Sequence, residues 1–386
     1  MGFSLSHEFR MVHAKARTYL FGKFPTNCEE SKMKEMTTFE RMKLMYEHRE
    51  ADCVPVTDSP WKATVDRWHR EGMPADIGYD EFFKLDKFAS IGADNSPRYP
   101  VKILEENEES VTRTTAWGQT IKDWKSHGGV PEFLDCKIVT PDAWREAKER
   151  MTPTRDRINW DHLAKNYPKW RKDGCWISAG FWFGFDITHS WITGTETLLM
   201  AMITDPEWVM DMFNHQLEVD IALFEMVWDA GYKFDAIRWP DDMGYKYKQF
   251  FSLDTYREIL KPYHQRAIEW AHAKGIKAEL HSCGDIRPLV PDLVGMGLDA
   301  LNPLEVKAGM DPLALKAEYG DKLVLHGGLN ALLYNEPEKL WTEMRRVIPA
   351  LKKNGGLVIS SDHSVPDCVS LEMFREFVRL SRELGK

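Results

Sequence analysis

Residues 276–328 read IKAELHSCGDIRPLVPDLVGMGLDALNPLEVKAGMDPLALKAEYGDKLVLHGG. Three times in this stretch a short apolar run gives way to a helical pattern. Ile276–Ser282 precedes Arg287–Met296, Asp299–Glu305 precedes Pro312–Tyr319, and Lys322–Gly328 precedes Pro337–Lys353. In each unit the apolar spacing changes from alternation to a helical repeat, which marks a strand followed by a helix. The rhythm extends in both directions. Phe234–Trp239 precedes a helix over Leu253–Lys274, and Gly356–Asp362 precedes one over Leu371–Leu384. Gly231, Gly275, Gly297, Gly320 and Gly355-Gly356 punctuate the passage from helix to next strand, where a C-cap accepts glycine most readily. Five consecutive strand–helix units predict a parallel sheet.

Two earlier runs, Cys53–Asp58 and Cys175–Trp182, read as further strands, the second followed by helices over Thr195–Thr204 and Glu207–Asp229. Val111–Lys125 alternates like an antiparallel hairpin with Trp117-Gly118 near its turn, and is expected to be an insertion. Seven or eight parallel strands with flanking helices predict an α/β fold of the (β/α)8 TIM-barrel type. The expected organisation is an N-terminal helical extension over residues 1–50 and a barrel over 51–386, interrupted by an insertion over about 95–150. A doubly wound open sheet is the alternative. It calls for a Gly-rich phosphate loop after the first strand, and CVPVTDSPW has none.

Composition narrows the function. The 386 residues carry 51 basic and 60 acidic side chains, a formal charge of −9, which disfavours nonspecific nucleic-acid binding. Hydrophobic residues make up 43%, a globular composition that excludes wholesale disorder. No apolar run is long enough to span a bilayer, and the N-terminus lacks the apolar core of a secretory signal. The six cysteines are scattered without framework spacing, so reduced thiols and a cytoplasmic location are expected.

In a barrel, chemistry sits where the strands run out at their C-terminal ends. Those positions here hold Asp58, Phe181-Trp182-Phe183, Asp241-Asp242, His281 and Cys283, Asn302 and Glu305, His326, and Asp362-His363. Residues i and i+2 of a strand share a face, so His281 and Cys283 can offer an imidazole nitrogen and a thiolate to one cation. Zn2+ favours that donor pair, and a catalytic zinc takes a third protein ligand and keeps one position open. His363, Cys368, Glu305, His326, Asp241 and Asp242 are candidates for the third. The bland reading of the pair is interior packing and hydrogen bonding. Of the adjacent Asp241 and Asp242, one is expected to face the site as an acid, base or metal partner and the other to support it. Trp61, Phe181, Trp182 and Trp239 can wall a substrate pocket, or simply seal the core. Asp186 and His189 are weaker candidates.

The ordered set DDMG (Asp241–Gly244), HSCG (His281–Gly284), NPLEVKAGMD (Asn302–Asp311), HGGL (Gly327 within it) and SSDHSVP (Ser360–Pro366) resembles the uroporphyrinogen decarboxylase superfamily, in particular its zinc-dependent, corrinoid-linked methyltransferases. The resemblance covers about Ala51 to the C-terminus. It implies a (β/α)8 barrel with the site at its C-terminal mouth, a homodimer, Zn2+ as cofactor, and a corrinoid carried by a partner protein. The decarboxylases resemble one another in an arginine-bearing R-Q-A-G-R stretch near the first strand. This chain reads VPVTDSPWKATVDRWHREGMP there, with Asp58 and Trp61 in place of arginines. A porphyrinogen carrying many carboxylates needs cationic partners. The resemblance therefore implies methyl transfer between a small substrate or thiol and a corrinoid. His281 and Cys283 match the first two zinc ligands of that branch. Where it has a later cysteine this chain has Asp362-His363, so His363 or Cys368 is expected to complete the site. Asp241, Asp242 and Glu305 are the expected catalytic carboxylates, with Asp58, Trp61, Phe181, Trp182, Trp239 and His326 around the substrate.

Two other functions stay open at this point. A metal-free decarboxylase or lyase would need Arg238, Arg287 or Lys307 facing the mouth. A non-enzymatic barrel would bind a tetrapyrrole or corrinoid without turnover. Zinc content separates both from the methyltransferase.

Overall fold

The computed structural model describes residues 35–125 and 131–386. Most of the expected N-terminal extension, residues 1–34, lies outside the described residues. Of the remainder, Met36–Lys386 forms one compact unit.

Its centre is a seven-stranded parallel sheet built from β1 (Phe88–Gly92), β6 (Trp176–Gly180), β7 (Ala236–Pro240), β8 (Lys277–His281), β9 (Ala300–Asn302), β10 (Val324–His326) and β11 (Leu357–Val358), hydrogen-bonded in that order. Strand order follows chain order without a reversal. A doubly wound sheet requires a reversal, so that alternative falls. The expected strand at Cys53–Asp58 is reduced to a parallel bridge between Val56 and Ile359, just past β11. Pro55 has no N–H to offer a longer ladder. On the other side, Asp86 N–H donates to the Val56 carbonyl at 2.9 Å.

β1 is a strand that sequence periodicity does not announce. FASIG has no β-branched run, and only Ile91 in it is fully buried. Its register with β6, Phe88 to Trp176 and Gly92 to Gly180, is made by the neighbouring strand. Between β1 and β6 lies a four-stranded antiparallel sheet of β2 (Ile103–Glu106), β3 (Ser110–Thr114), β4 (Gln119–Trp124) and β5 (Glu132–Cys136), followed by a helix over Pro141–Arg150.

Strand parity sorts the interior into two cores. Ile177, Ala179, Ile237, Trp239, Ala278, Leu280, Leu301 and Leu325 face outward and pack under the helices in the main core. Trp176, Ala236, Ala300, Val324 and Val358 face the other way. They form a second, smaller core with Met42, Met45 and Tyr46 of the helix Thr38–Tyr46. Tyr46 stacks on Trp176 at 5.2 Å between ring centroids. This helix covers the N-terminal end of the strands, and leaves the polar positions nearer their C-terminal ends to line a cavity.

Candidate metal centre

The inward parity that buries Ala236 and Ala300 also decides which side chains meet at the open end. Two residues beyond Ala236 comes Arg238, and two beyond Ala300 comes Asn302. Glu279 and His281 share a face on β8, and His326 takes the same place on β10. The ladder sets Arg238 beside Glu279 and His281 beside Asn302. With Ser90 and Ser178 these residues line a cavity of about 480 Å3, whose wall is completed by Asp58, Trp61, Tyr79, Phe88 and His363 among others.

Asp242, His281 and Cys283 stand together on one side of it. One ligand atom from each lies within 4.8 Å of the others, the one such group of three His, Cys, Asp or Glu among the described residues. Cys283 Sγ is 3.6 Å from His281 Nε2, and that nitrogen is 3.8 Å from Asp242 Oδ1. The Cys283 N–H donates to Asp242 Oδ1 at 2.7 Å, tying the loop after β8 to the loop after β7. His281 Nδ1 lies 2.7 Å from Asn302 Oδ1, which leaves Nε2 on the side of Cys283 and Asp242.

The electrostatics of this group are those of a site short of positive charge. Burial, followed by the Asp186 carboxylate, pushes Asp242 up to about 7. Burial also pushes the Cys283 thiol well above its usual range, with Asp242 and Glu305 adding to the effect. His281 is held down to about 4, by burial and then by the Arg238 cation, and so is neutral imidazole near neutral pH. A divalent cation reverses this logic, turning thiol to thiolate and carboxyl to carboxylate. A nitrogen, a sulfur and an oxygen at these separations fit Zn2+.

Deeper in the cavity, Glu279 accepts from His326 Nδ1 at 2.9 Å and stands 3.4 Å from Arg238 Nε. Burial alone would raise its carboxyl, but Arg238 and His326 outweigh that and hold it at about 2. Arg238 also donates to Asn302 Oδ1 at 2.6 Å.

Of the candidates for a third donor, Asp242 is the one that joins His281 and Cys283. His363 lines the cavity elsewhere, its ring 6.1 Å from that of Trp61, and Cys368 is exposed on the following loop. Neither His363 nor Cys368, the residues expected to complete the site, belongs to that group of three. Glu305 is held behind the triad, accepting the Gly284 N–H and pairing with Lys307 at 3.2 Å. Asp241, expected among the catalytic carboxylates, is set back from the cavity lining. It is fully buried, 2.7 Å from His264 Nε2, and accepts the Asp186 N–H. Phe181 and Trp239 leave the pocket wall as well. Odd strand parity turns both into the core, where Phe181 stacks on Phe224 and Trp239 on Phe183. Trp182 is 38% exposed, edge-on to Trp191, and is not part of the cavity lining. Asp186 and His189 face each other at 3.4 Å on a stretch running into a π-helical turn, Thr188–Thr193.

Glu279, Ser90 and Ser178 were not singled out by the sequence reading, Asn302 only as a strand-end residue, and Arg238 only for a lyase. A signal existed in three of them: Arg238, Glu279 and Asn302 interrupt apolar strands at alternate positions, which no solvent-facing strand of a buried parallel sheet would need.

Asp58 accepts from the Ser361 N–H and hydroxyl and from the Ser59 N–H, yet burial pushes its carboxyl up to about 6. The folded protein thus keeps a proton that the unfolded chain loses near its ordinary 3.8. Stability from this group is present below about pH 4 and is lost as pH rises through 6. Asp58→Asn is expected to shrink the stability difference between pH 5 and pH 8 by about 1–2 kcal/mol. Urea unfolding at the two pH values measures it, and an unchanged difference refutes it.

Gly284, next to Cys283, has φ +83°. A Cβ there would lie 2.1 Å from the Gly244 carbonyl carbon and 2.4 Å from its oxygen, so the two loops touch backbone to backbone. Gly284→Ala is expected to cost about 2–3 kcal/mol, from left-handed strain plus overpacking. Thermal or urea unfolding reads it, and wild-type stability would show that the loops part freely.

Comparison with known proteins agrees with this architecture. The family model described as uroporphyrinogen decarboxylase (URO-D) matches residues 185–384. No curated protein matches the chain's sequence. Among solved structures, a methyltransferase from Methanosarcina mazei is similar at TM-score 0.63 and 17% identity, over 91% of this chain and 100% of that one. At that identity the likeness speaks for the fold. A Penicillium canescens endo-1,4-beta-xylanase, XylE, covers 58% of this chain and 78% of its own at 11% identity and TM-score 0.31, too low to carry weight.

Proposed function

Because the chain belongs to the uroporphyrinogen decarboxylase family, we propose that it is an enzyme of that family that transfers a methyl group, with zinc held by Asp242, His281 and Cys283. The observation that carries the reading is the convergence of those three donors on the cavity. Zinc bound there would supply a Lewis-acid position at which a thiol or similar nucleophile loses its proton at neutral pH.

The chain's own residues do the rest. His281 offers Nε2 because Asn302 occupies Nδ1. The Cys283 N–H keeps the Asp242 carboxylate turned toward the pair. Trp61, Tyr79 and Phe88 give the cavity an apolar wall that limits water around the reacting group. The polar floor of Arg238, Glu279 and His326 orients the far end of a small substrate.

Porphyrinogen decarboxylation is the weaker reading. Among the described residues, the lining holds five carboxylates, Asp58, Asp80, Asp86, Asp242 and Glu279, against a single Lys or Arg, Arg238. Arg287 pairs with Asp285 and Lys307 with Glu305, so neither supplies a free cation to a polyanion. A corrinoid, borne by a partner protein, is the methyl carrier in this proposal. The Val56 bridges to Ile359 and Asp86 support closure of the seven strands into an eight-membered ring, with the site at its mouth. The five described cysteines are all free, which supports a reducing, cytoplasmic compartment. No helix among the described residues is long and apolar enough to cross a membrane. A homodimer is proposed on the family resemblance.

Elemental analysis of the purified and the zinc-reconstituted protein tests the proposal, together with methyl exchange between methylcobalamin and a small thiol. One zinc per chain and zinc-dependent exchange support it. Absence of stoichiometric metal in both preparations ends it.

A further inference from the structure

Asn302 closes β9 and makes three hydrogen bonds in three directions. Its Oδ1 accepts from Arg238 Nη2 at 2.6 Å and lies 2.7 Å from His281 Nδ1. Its Nδ2 donates to the His326 carbonyl at 3.2 Å. The side chain is buried. An amide has two unlike ends, an oxygen that only accepts and a nitrogen that only donates. Arg238 has nothing but donors, and a backbone carbonyl nothing but an acceptor, so both force the same orientation. The flipped amide would set NH2 against a guanidinium and oxygen against oxygen.

Arg238 cannot easily swing away to release the amide. Glu279 stands 3.4 Å from its Nε and is itself held by His326. The order of influence therefore runs from Glu279 to Arg238, to the Asn302 oxygen, to His281. At its end is Nε2, the atom 3.6 Å from Cys283 Sγ and 3.8 Å from Asp242 Oδ1.

We propose that Asn302, oriented by Arg238 and the His326 carbonyl, is the positioning residue that locks His281 in its Nδ1–H tautomer and so creates the nitrogen donor of the triad. The consequence for cation binding rests on the proposed zinc site, whereas the tautomer lock does not. An imidazole without this acceptor is free to place its proton on Nε2, which would aim a donor at the position a cation needs. An outer partner of this kind contributes roughly 10–100-fold to metal affinity.

The test uses cation-free protein labelled with 15N-histidine at pH 8, with His281→Gln assigning the His281 signals. Wild type is expected to carry its proton on Nδ1. Asn302→Leu is expected to move a large share of it to Nε2 and to weaken zinc or cobalt(II) binding by roughly 10–100-fold. Asn302→Asp keeps the acceptor and is expected to restore the tautomer. Should Asn302→Leu fail to fold, Asn302→Ala, which removes the same acceptor, is expected to move the proton likewise. A wild-type Nε2–H form, or an Nδ1–H form that persists in whichever of Asn302→Leu and Asn302→Ala folds, overturns the proposal. If wild type takes up neither zinc nor cobalt, the metal reading falls alone, and the tautomer measurement still decides the role of Asn302.

Discussion

Cys283→Ser is expected to lower zinc affinity more than 100-fold, beyond the roughly 10–100-fold that loss of an outer-sphere partner costs. A serine hydroxyl does not ionise under conditions where a metal-bound cysteine does, so one of three donors is lost outright while the shape barely changes. The thiol makes a single weak contact, to His281 at 3.6 Å, and sits half-buried at the cavity wall. The fold should therefore hold, with stability within about 0.5 kcal/mol of wild type, as for substitutions that touch no packing feature. Competition with a chromogenic chelator gives the affinity and urea unfolding the stability. Wild-type affinity in the variant would remove the sulfur from the donor set and leave His281 and Asp242 as ordinary cavity polar groups.

The neighbour pair Asp241 and Asp242 predicts opposite phenotypes. Asp241→Ala is expected to destabilise the fold by about 3–5 kcal/mol, the cost of removing one partner from a buried pair. Asp241 and His264 are both fully buried and 2.7 Å apart, and the Asp186 N–H loses its acceptor as well. Folded molecules of the variant should still bind zinc, because no donor atom of the triad belongs to Asp241. Denaturant unfolding combined with metal analysis of the soluble fraction measures both. A well-folded Asp241→Ala protein that no longer binds zinc would move the metal-binding carboxylate from Asp242 to Asp241.

That pair also marks where sequence reading stops. Adjacent residues past a strand end were bound to diverge, but which one turned inward depended on the ladder between β7 and β8. Pro240 pairs with His281, and beyond it the chain leaves the sheet. Asp241 then falls toward His264 on the helix layer, and Asp242 toward the Cys283 N–H. Parity likewise decided against Phe181 and Trp239 as pocket walls. Their spacing placed them near the rim, and their position on odd steps of the strand sent them into the core.

Sequence alone determined the strand–helix alternation, the parallel sheet and the proximity of His281 to Cys283, because each rests on spacing along one segment. Periodicity of two or 3.6 and a same-face pair at i and i+2 are local properties of a chain. The tertiary structure decided what joins across segments: β1, made a strand by its partner β6; Asp242 rather than His363 or Cys368 beside His281 and Cys283; and Asn302 at the back of His281. Those depend on register between strands and on the path of loops, which hydrogen bonds between distant residues set and no single stretch of sequence encodes.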